Sequence, residues 1–302
     1  MASKSEVQSK MKEKIVTPKT NEQVSSPKAK VTKVAAEQKS VGKYHRRIEK
    51  IMAAWSKQKR KSKRRKVILT IIELVLLTAW VLLALEISKQ IMYGAMLLLT
   101  DVFGVTLNVN ATLETVLSAI VYVIDLVITL GVPALIFCEK PTRDSLGLRG
   151  LFTWTDIGMG VIGFILSMIA ALIVTAIAAA IFPWIDMEQA QEVGYDNISG
   201  FKDMMMAFLA LVVIAPVAEE IVFRGWLYGK LRRHTWAIPA ILLTSVAFGA
   251  AHGQWNVGIT VGVMSVFMCL IREMTGTVYG GIIVHMLKNG LAFYMLFIYG
   301  IN

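Results

Sequence analysis

Three short stretches carry the side chains able to do chemistry in a chain that is otherwise largely apolar. In Ala215-Pro216-Val217-Ala218-Glu219-Glu220-Ile221-Val222-Phe223-Arg224, two adjacent carboxylates and a guanidinium interrupt an apolar run from Phe208 to Tyr228. At membrane depth each ionisable side chain costs about 2.5 to 3.5 kcal/mol on insertion scales, so these groups must face protein or water. On a helix Glu220 and Arg224 share a face, which suits a buried ion pair, while Glu219 is rotated about 100° away and is left for other work. A purely structural ion pair locking two helices is the plainer reading of this stretch. The second stretch, Ala247-Phe248-Gly249-Ala250-Ala251-His252, puts Phe248 and His252 on one helix face. The third runs from Val278 to Asn289 and does the same for His285 and Asn289. Two hydrogen-bonding groups pointing one way inside an apolar helix ask for a common target.

The elements that must position these groups follow from hydropathy. Seven spans are predicted, over residues 67–87, 115–138, 157–182, 203–228, 237–251, 257–271 and 278–298. Residues 91–99 are apolar but too short to cross, which predicts an interfacial or re-entrant segment and leaves an eighth crossing open. Pro216 removes one helical donor and crowds the carbonyl of Val212, so the fourth span should bend just before the acids, where a polar cavity could open. If spans four and five form an antiparallel hairpin turning near 234–236, Glu219 and His252 lie level. That level is on the order of 20 Å from the turn at the usual helical rise. Gly280 and Gly281 allow a neighbouring helix to approach the seventh span closely.

Composition agrees with a polytopic all-α membrane protein: 302 residues, 55% of them hydrophobic, with long uncharged runs. The net charge of +11 belongs to the N-terminal end. Residues 1–66 hold 21 Lys and Arg against 5 Glu, while the remainder holds 11 basic against 16 acidic residues. Residues 1–41 lack large apolar groups and are expected to form a disordered basic tail. Residues 42–66 resemble either an amphipathic basic helix suited to an anionic lipid surface or a charge run that only fixes topology, and residues 67–302 should form the membrane core. A nucleic-acid partner is disfavoured, because no aromatic interleaving accompanies the charge. Basic connections near 139–153 and 230–233, against an acidic loop at 183–200, place the N-terminus in the cytoplasm of a multi-pass cell-membrane protein. Cys138 and Cys269 indicate neither a disulfide framework nor a cysteine metal site. Asp125 reads as a structural polar group or a cleft residue, and Glu73 and Glu86 as paired or snorkelling acids.

With all three stretches in view, the sequence resembles the CAAX protease and bacteriocin-processing family of intramembrane proteases, abbreviated CPBP or Abi. The resemblance rests on Glu219-Glu220-x-x-x-Arg224, Phe248-x-x-x-His252 and His285-x-x-x-Asn289, with Ser145-Leu146-Gly147-Leu148-Arg149 as a further feature, and covers about residues 115–302. It implies an intramembrane endopeptidase acting on a peptide or membrane-protein substrate, with a role in CAAX-tail or bacteriocin processing or immunity.

The residues make chemical sense in that setting. Peptide hydrolysis needs an activated water, a base to take its proton and donors aimed at the developing oxyanion. Glu219 is expected as base, His252 as the group positioning water, and His285 and Asn289 as oxyanion donors. Glu220, Arg224 and Phe248 would support them. No cofactor is favoured; the alternative is a zinc site ligated by Glu219, His252 and His285. A catalytically silent immunity or scaffold protein is a competing function. A proton-coupled transporter is disfavoured by the absence of a second copy of the Pro216–Arg224 pattern.

Overall fold

The computed structural model describes residues 27–107, 109–189, 191, 193–195, 198 and 200–300. The chain divides into two units, Met1–Lys66 and Val67–Asn302. The first helix, α1, runs over Pro27–Leu97. Where the predicted tail is described it is therefore helical from Pro27 onward, and its first 26 residues lie outside the described residues.

In the second unit, the helices after α1 are α2 (Ala111–Phe137), α3 (Trp154–Ile181), α4 (Phe201–His234), α5 (Ala237–Ala250), α6 (Trp255–Thr275) and α7 (Tyr279–Tyr299). Six of the helices are long and apolar enough to cross a membrane, among them the Arg64–Val102 stretch that includes the end of α1. The predicted re-entrant segment at 91–99 is not separate. It continues α1 and ends in a π-turn over Leu98–Val102, because nothing in its sequence stops a helix before Gly104. The fifth predicted crossing, α5, has 14 residues. At 1.5 Å per residue it covers about 21 Å, short of the roughly 30 Å hydrocarbon thickness. The chain then turns at Ala251-His252.

Large apolar side chains cover the outside, as at Leu172, Val246 and Trp236, which is the pattern expected of a lipid-facing surface. The interior holds Val222, Phe223, Leu227, Phe248, Met264, Met268 and Val284. Local signals start the helices. Asn110 Oδ1 accepts from Leu113 N at 2.9 Å at the head of α2. At the head of α3, Thr153 and Asp156 form a reciprocal capping box, and Asp156 Oδ1 also accepts from Thr277 Oγ1 at 2.7 Å, which fastens α3 to the entry of α7.

Two devices align the helices that carry the site. Glu139, just beyond α2, pairs with Lys230 and Arg233 of α4. Those two cations, the Lys230 ammonium first, hold its carboxyl below the usual carboxylate range. On the other side, α5 and α6 meet backbone to backbone at Gly249 and Gly258. A Cβ on Gly249 would lie 2.6 Å from the Gly258 carbonyl oxygen. Gly249→Ala must push α5 and α6 apart and so displace His252. We expect it to destabilise the protein by about 1 to 3 kcal/mol, the usual range for overpacking, read as a lowered Tm in detergent micelles. An unchanged Tm would show that the two helices can separate freely.

Candidate active site

The fourth helix bends where proline chemistry says it should. Residues Leu209–Ile214 form a π-turn directly before Ala215-Pro216, with Ala215 N donating to Ala210 O five residues back. Continuing that pattern, Pro216 would donate to Leu211 O, but it has no N–H. The orphaned Leu211 carbonyl instead accepts from Asn289 Nδ2 on α7 at 2.8 Å. A second π-turn over Ile221–Leu227 follows the acids. Glu219 and Glu220 thus occupy one ordinary helical segment, Ala215–Glu220, between two wider ones.

The predicted ion pair is present and buried. Arg224 Nη1 donates to Glu220 Oε1 at 2.7 Å, and both side chains are 0% exposed. The same Glu220 oxygen lies 3.2 Å from His285 Nδ1. A carboxylate that is ionised only accepts, so the Nδ1 proton of His285 is directed at Glu220. Gly281 makes room for this approach, since a Cβ there would stand 2.8 Å from Glu220 Oε2. Phe248 is the apolar hub of the arrangement. The Arg224 guanidinium lies 4.2 Å over its ring centroid, and the rings of His252 and His285 meet it edge to face at 5.0 and 5.6 Å.

Glu219 points elsewhere, as helix geometry required. Its side chain is 21% exposed and lines a cavity of about 380 Å³ together with His252, His285 and Asn289. Glu219 Oε2 stands 3.8 Å from His285 Nε2. His252 Nδ1 lies 2.9 Å from Phe248 O one turn back. A carbonyl oxygen cannot donate, so this nitrogen carries the proton and the other ring nitrogen is an acceptor.

Four further titratable groups line the cavity: Tyr122 and Asp125 from α2, Lys89 from α1 and Lys288 from α7. Tyr122 Oη donates to Glu219 Oε1 at 2.8 Å. Asp125 is buried and accepts from Thr129 Oγ1 at 3.1 Å, so it is both a braced polar group and a cavity residue. Tyr122 was missed in the sequence, although it stands three residues before Asp125 and so shares its helix face. Glu73, expected to pair with a basic side chain, lies 3.0 Å from His234. Asn289 departs from expectation in one respect, since one of its amide protons is committed to Leu211 rather than to the cavity. As for zinc, no group of three or more His, Cys, Asp or Glu among the described residues gathers closely enough to hold a metal ion. The trio Glu219, His252 and His285 lines one cavity.

Residues 201–291 match the family model described as Type II CAAX prenyl endopeptidase Rce1-like. The matched segment contains all three motifs, in agreement with the resemblance drawn from them, and supports an intramembrane protease of CAAX type. Comparisons with curated proteins and with solved structures gave no match.

Removing Arg224 strands Glu220 as a buried, uncompensated charge. Arg224→Ala is expected to cost about 3 to 5 kcal/mol, the range for breaking a buried pair. Arg224→Lys should rescue it only partly, because a compact ammonium lacks the planar, multi-donor guanidinium that reaches both Glu220 and the Phe248 ring. The comparison is read from yield of folded protein and Tm; wild-type values for Arg224→Ala would show that the pair is dispensable.

Proposed function

We propose that this protein is an intramembrane endopeptidase in which Glu219 is the general base, His252 positions the attacking water, and His285 and Asn289 donate to the oxyanion. The observation that supports this most directly is the division of labour between the two glutamates. Glu220 neutralises Arg224 out of reach of solvent, whereas Glu219 faces the cavity beside two histidines.

In this reading a water in the cavity donates one proton towards the acceptor nitrogen of His252 and the other to Glu219, and its oxygen attacks the scissile carbonyl carbon. The carbonyl oxygen becomes an oxyanion. It is met by the second amide proton of Asn289 and by His285 Nε2, which can donate only as the imidazolium because Nδ1–H already serves Glu220. Glu219 then returns its proton to the leaving amine, and the C–N bond breaks. No step calls for a metal ion.

The family description and the charge of the cavity support a CAAX tail as substrate. A CAAX tail ends in a free carboxylate close to its lipidated cysteine. Lys288 is half-buried in the cavity and makes no hydrogen bond or ion pair with any of the described residues, so it suits a substrate carboxylate. The apolar part of the cavity, with Phe293, Leu296 and Phe297, suits the aliphatic residues of such a tail. The same reading keeps the N-terminus cytoplasmic, with the basic 42–66 segment on an anionic leaflet.

Two variants separate the roles. Glu219→Gln keeps size and deletes the base, and should lower turnover of a prenylated CAAX peptide by more than roughly 10²-fold with Tm unchanged. Near-normal turnover in the purified variant would refute the assignment. Lys288→Met should instead raise KM for a peptide with a free C-terminus and leave KM for its C-terminal amide unaltered. Equal effects on the two peptides would remove Lys288 from substrate recognition.

A further inference from the structure

We infer that Tyr122 is a positioning residue for the candidate base: its hydroxyl holds one Glu219 oxygen so that the other is presented to the reacting water. The inference rests on the hydrolytic reading of Glu219 and extends the working site to α2, which lies outside the segment that the family model covers.

The geometry makes the case. A glutamate carboxylate turns readily about its last torsion, which is broad and roughly two-fold, and a base that samples many planes is a poor one. One strong donor fixes the plane. Tyr122 Oη supplies it at 2.8 Å to Oε1, which leaves Oε2 on the side of His285 and the open cavity. Tyr122 is itself held by its helix: α2 packs against the Ala215–Glu220 segment, and its far end is tied to α4 through Glu139, Lys230 and Arg233. One turn further along α2, Thr129 braces Asp125 in the same cavity, so this face of α2 is built to present polar groups in fixed places. A phenol suits the position because it donates to a carboxylate while its ring packs among apolar neighbours.

A hydroxyl that merely satisfied a half-buried carboxylate would contribute to folding and leave the catalytic step alone. The two roles are separated by Tyr122→Phe in the full-length protein reconstituted into phosphatidylcholine vesicles, with a farnesylated CAAX peptide as probe and Glu219→Gln measured alongside. The positioning role predicts that kcat falls on the order of 10- to 100-fold, as for loss of a hydrogen bond to a charged group, with KM and Tm unchanged. Wild-type kcat in Tyr122→Phe, together with an inactive Glu219→Gln, would overturn the role of Tyr122 and leave the hydrolytic reading standing. A fall in rate that tracks a lowered Tm, or that appears only in KM, would also overturn it. Failure of the wild-type protein to cleave, or full activity in Glu219→Gln, would instead overturn the hydrolytic reading and this inference with it.

Discussion

The buried pair between Glu220 and Arg224 is the constraint on which the rest of the site depends. Two charges with no access to solvent cost several kcal/mol each to desolvate, and that cost is offset only when hydrogen bonds and packing complete the pair. Here part of that offset comes from His285, which approaches Glu220 through the space left by Gly281, and from Phe248, whose ring centroid lies 4.2 Å from the guanidinium carbon. Each of these belongs to a different helix. Satisfying one ion pair therefore brings α4, α5 and α7 into register, and with them His252 and His285. Glu219, the next residue in sequence, inherits a fixed place in a cavity without spending its own charge on structure.

Helix irregularity is the second ingredient. Pro216 cannot donate to the backbone, and α4 widens into a π-turn just before it; a second π-turn follows the acidic segment. The carbonyl that this leaves without a donor is answered by Asn289. Asn289 thereby ties the bend in α4 to α7 while still lining the cavity, so one amide serves both the fold and the oxyanion reading. The short α5 acts in the same direction. It ends after 14 residues, and the half-buried His252 follows in the turn, where it lines the cavity.

Much of this was legible in the sequence because it depends on local spacing. The four-residue interval of Glu220 and Arg224 and the one-face pairing of Phe248 with His252 follow from helical geometry, and Glu219 and His252, expected level across a short hairpin, line one cavity. The positions of the apolar helices followed from composition, but α4 continues to His234 beyond the predicted 228, and residues 91–99, whose shortness suggested a separate segment, extend α1. What spacing could not reveal was long-range. Tyr122 meets Glu219 from 97 residues away, and Asn289 meets Leu211 from 78, so neither contact leaves a periodic trace. The commitment of an Asn289 proton to a backbone carbonyl could only be read once the π-turn before Pro216 was known.

The central claim is that Glu219 activates water and does not itself bond to the substrate. A single-turnover cleavage of a prenylated CAAX peptide in ¹⁸O-enriched water, followed by mass analysis of both the product and the Glu219-containing fragment of the enzyme, tests it directly. The account predicts ¹⁸O in the newly formed carboxylate of the product and none in the Glu219 side chain. Label recovered in Glu219, with unlabelled product, would mean that its carboxylate attacks the carbonyl through a covalent intermediate, and would contradict the account.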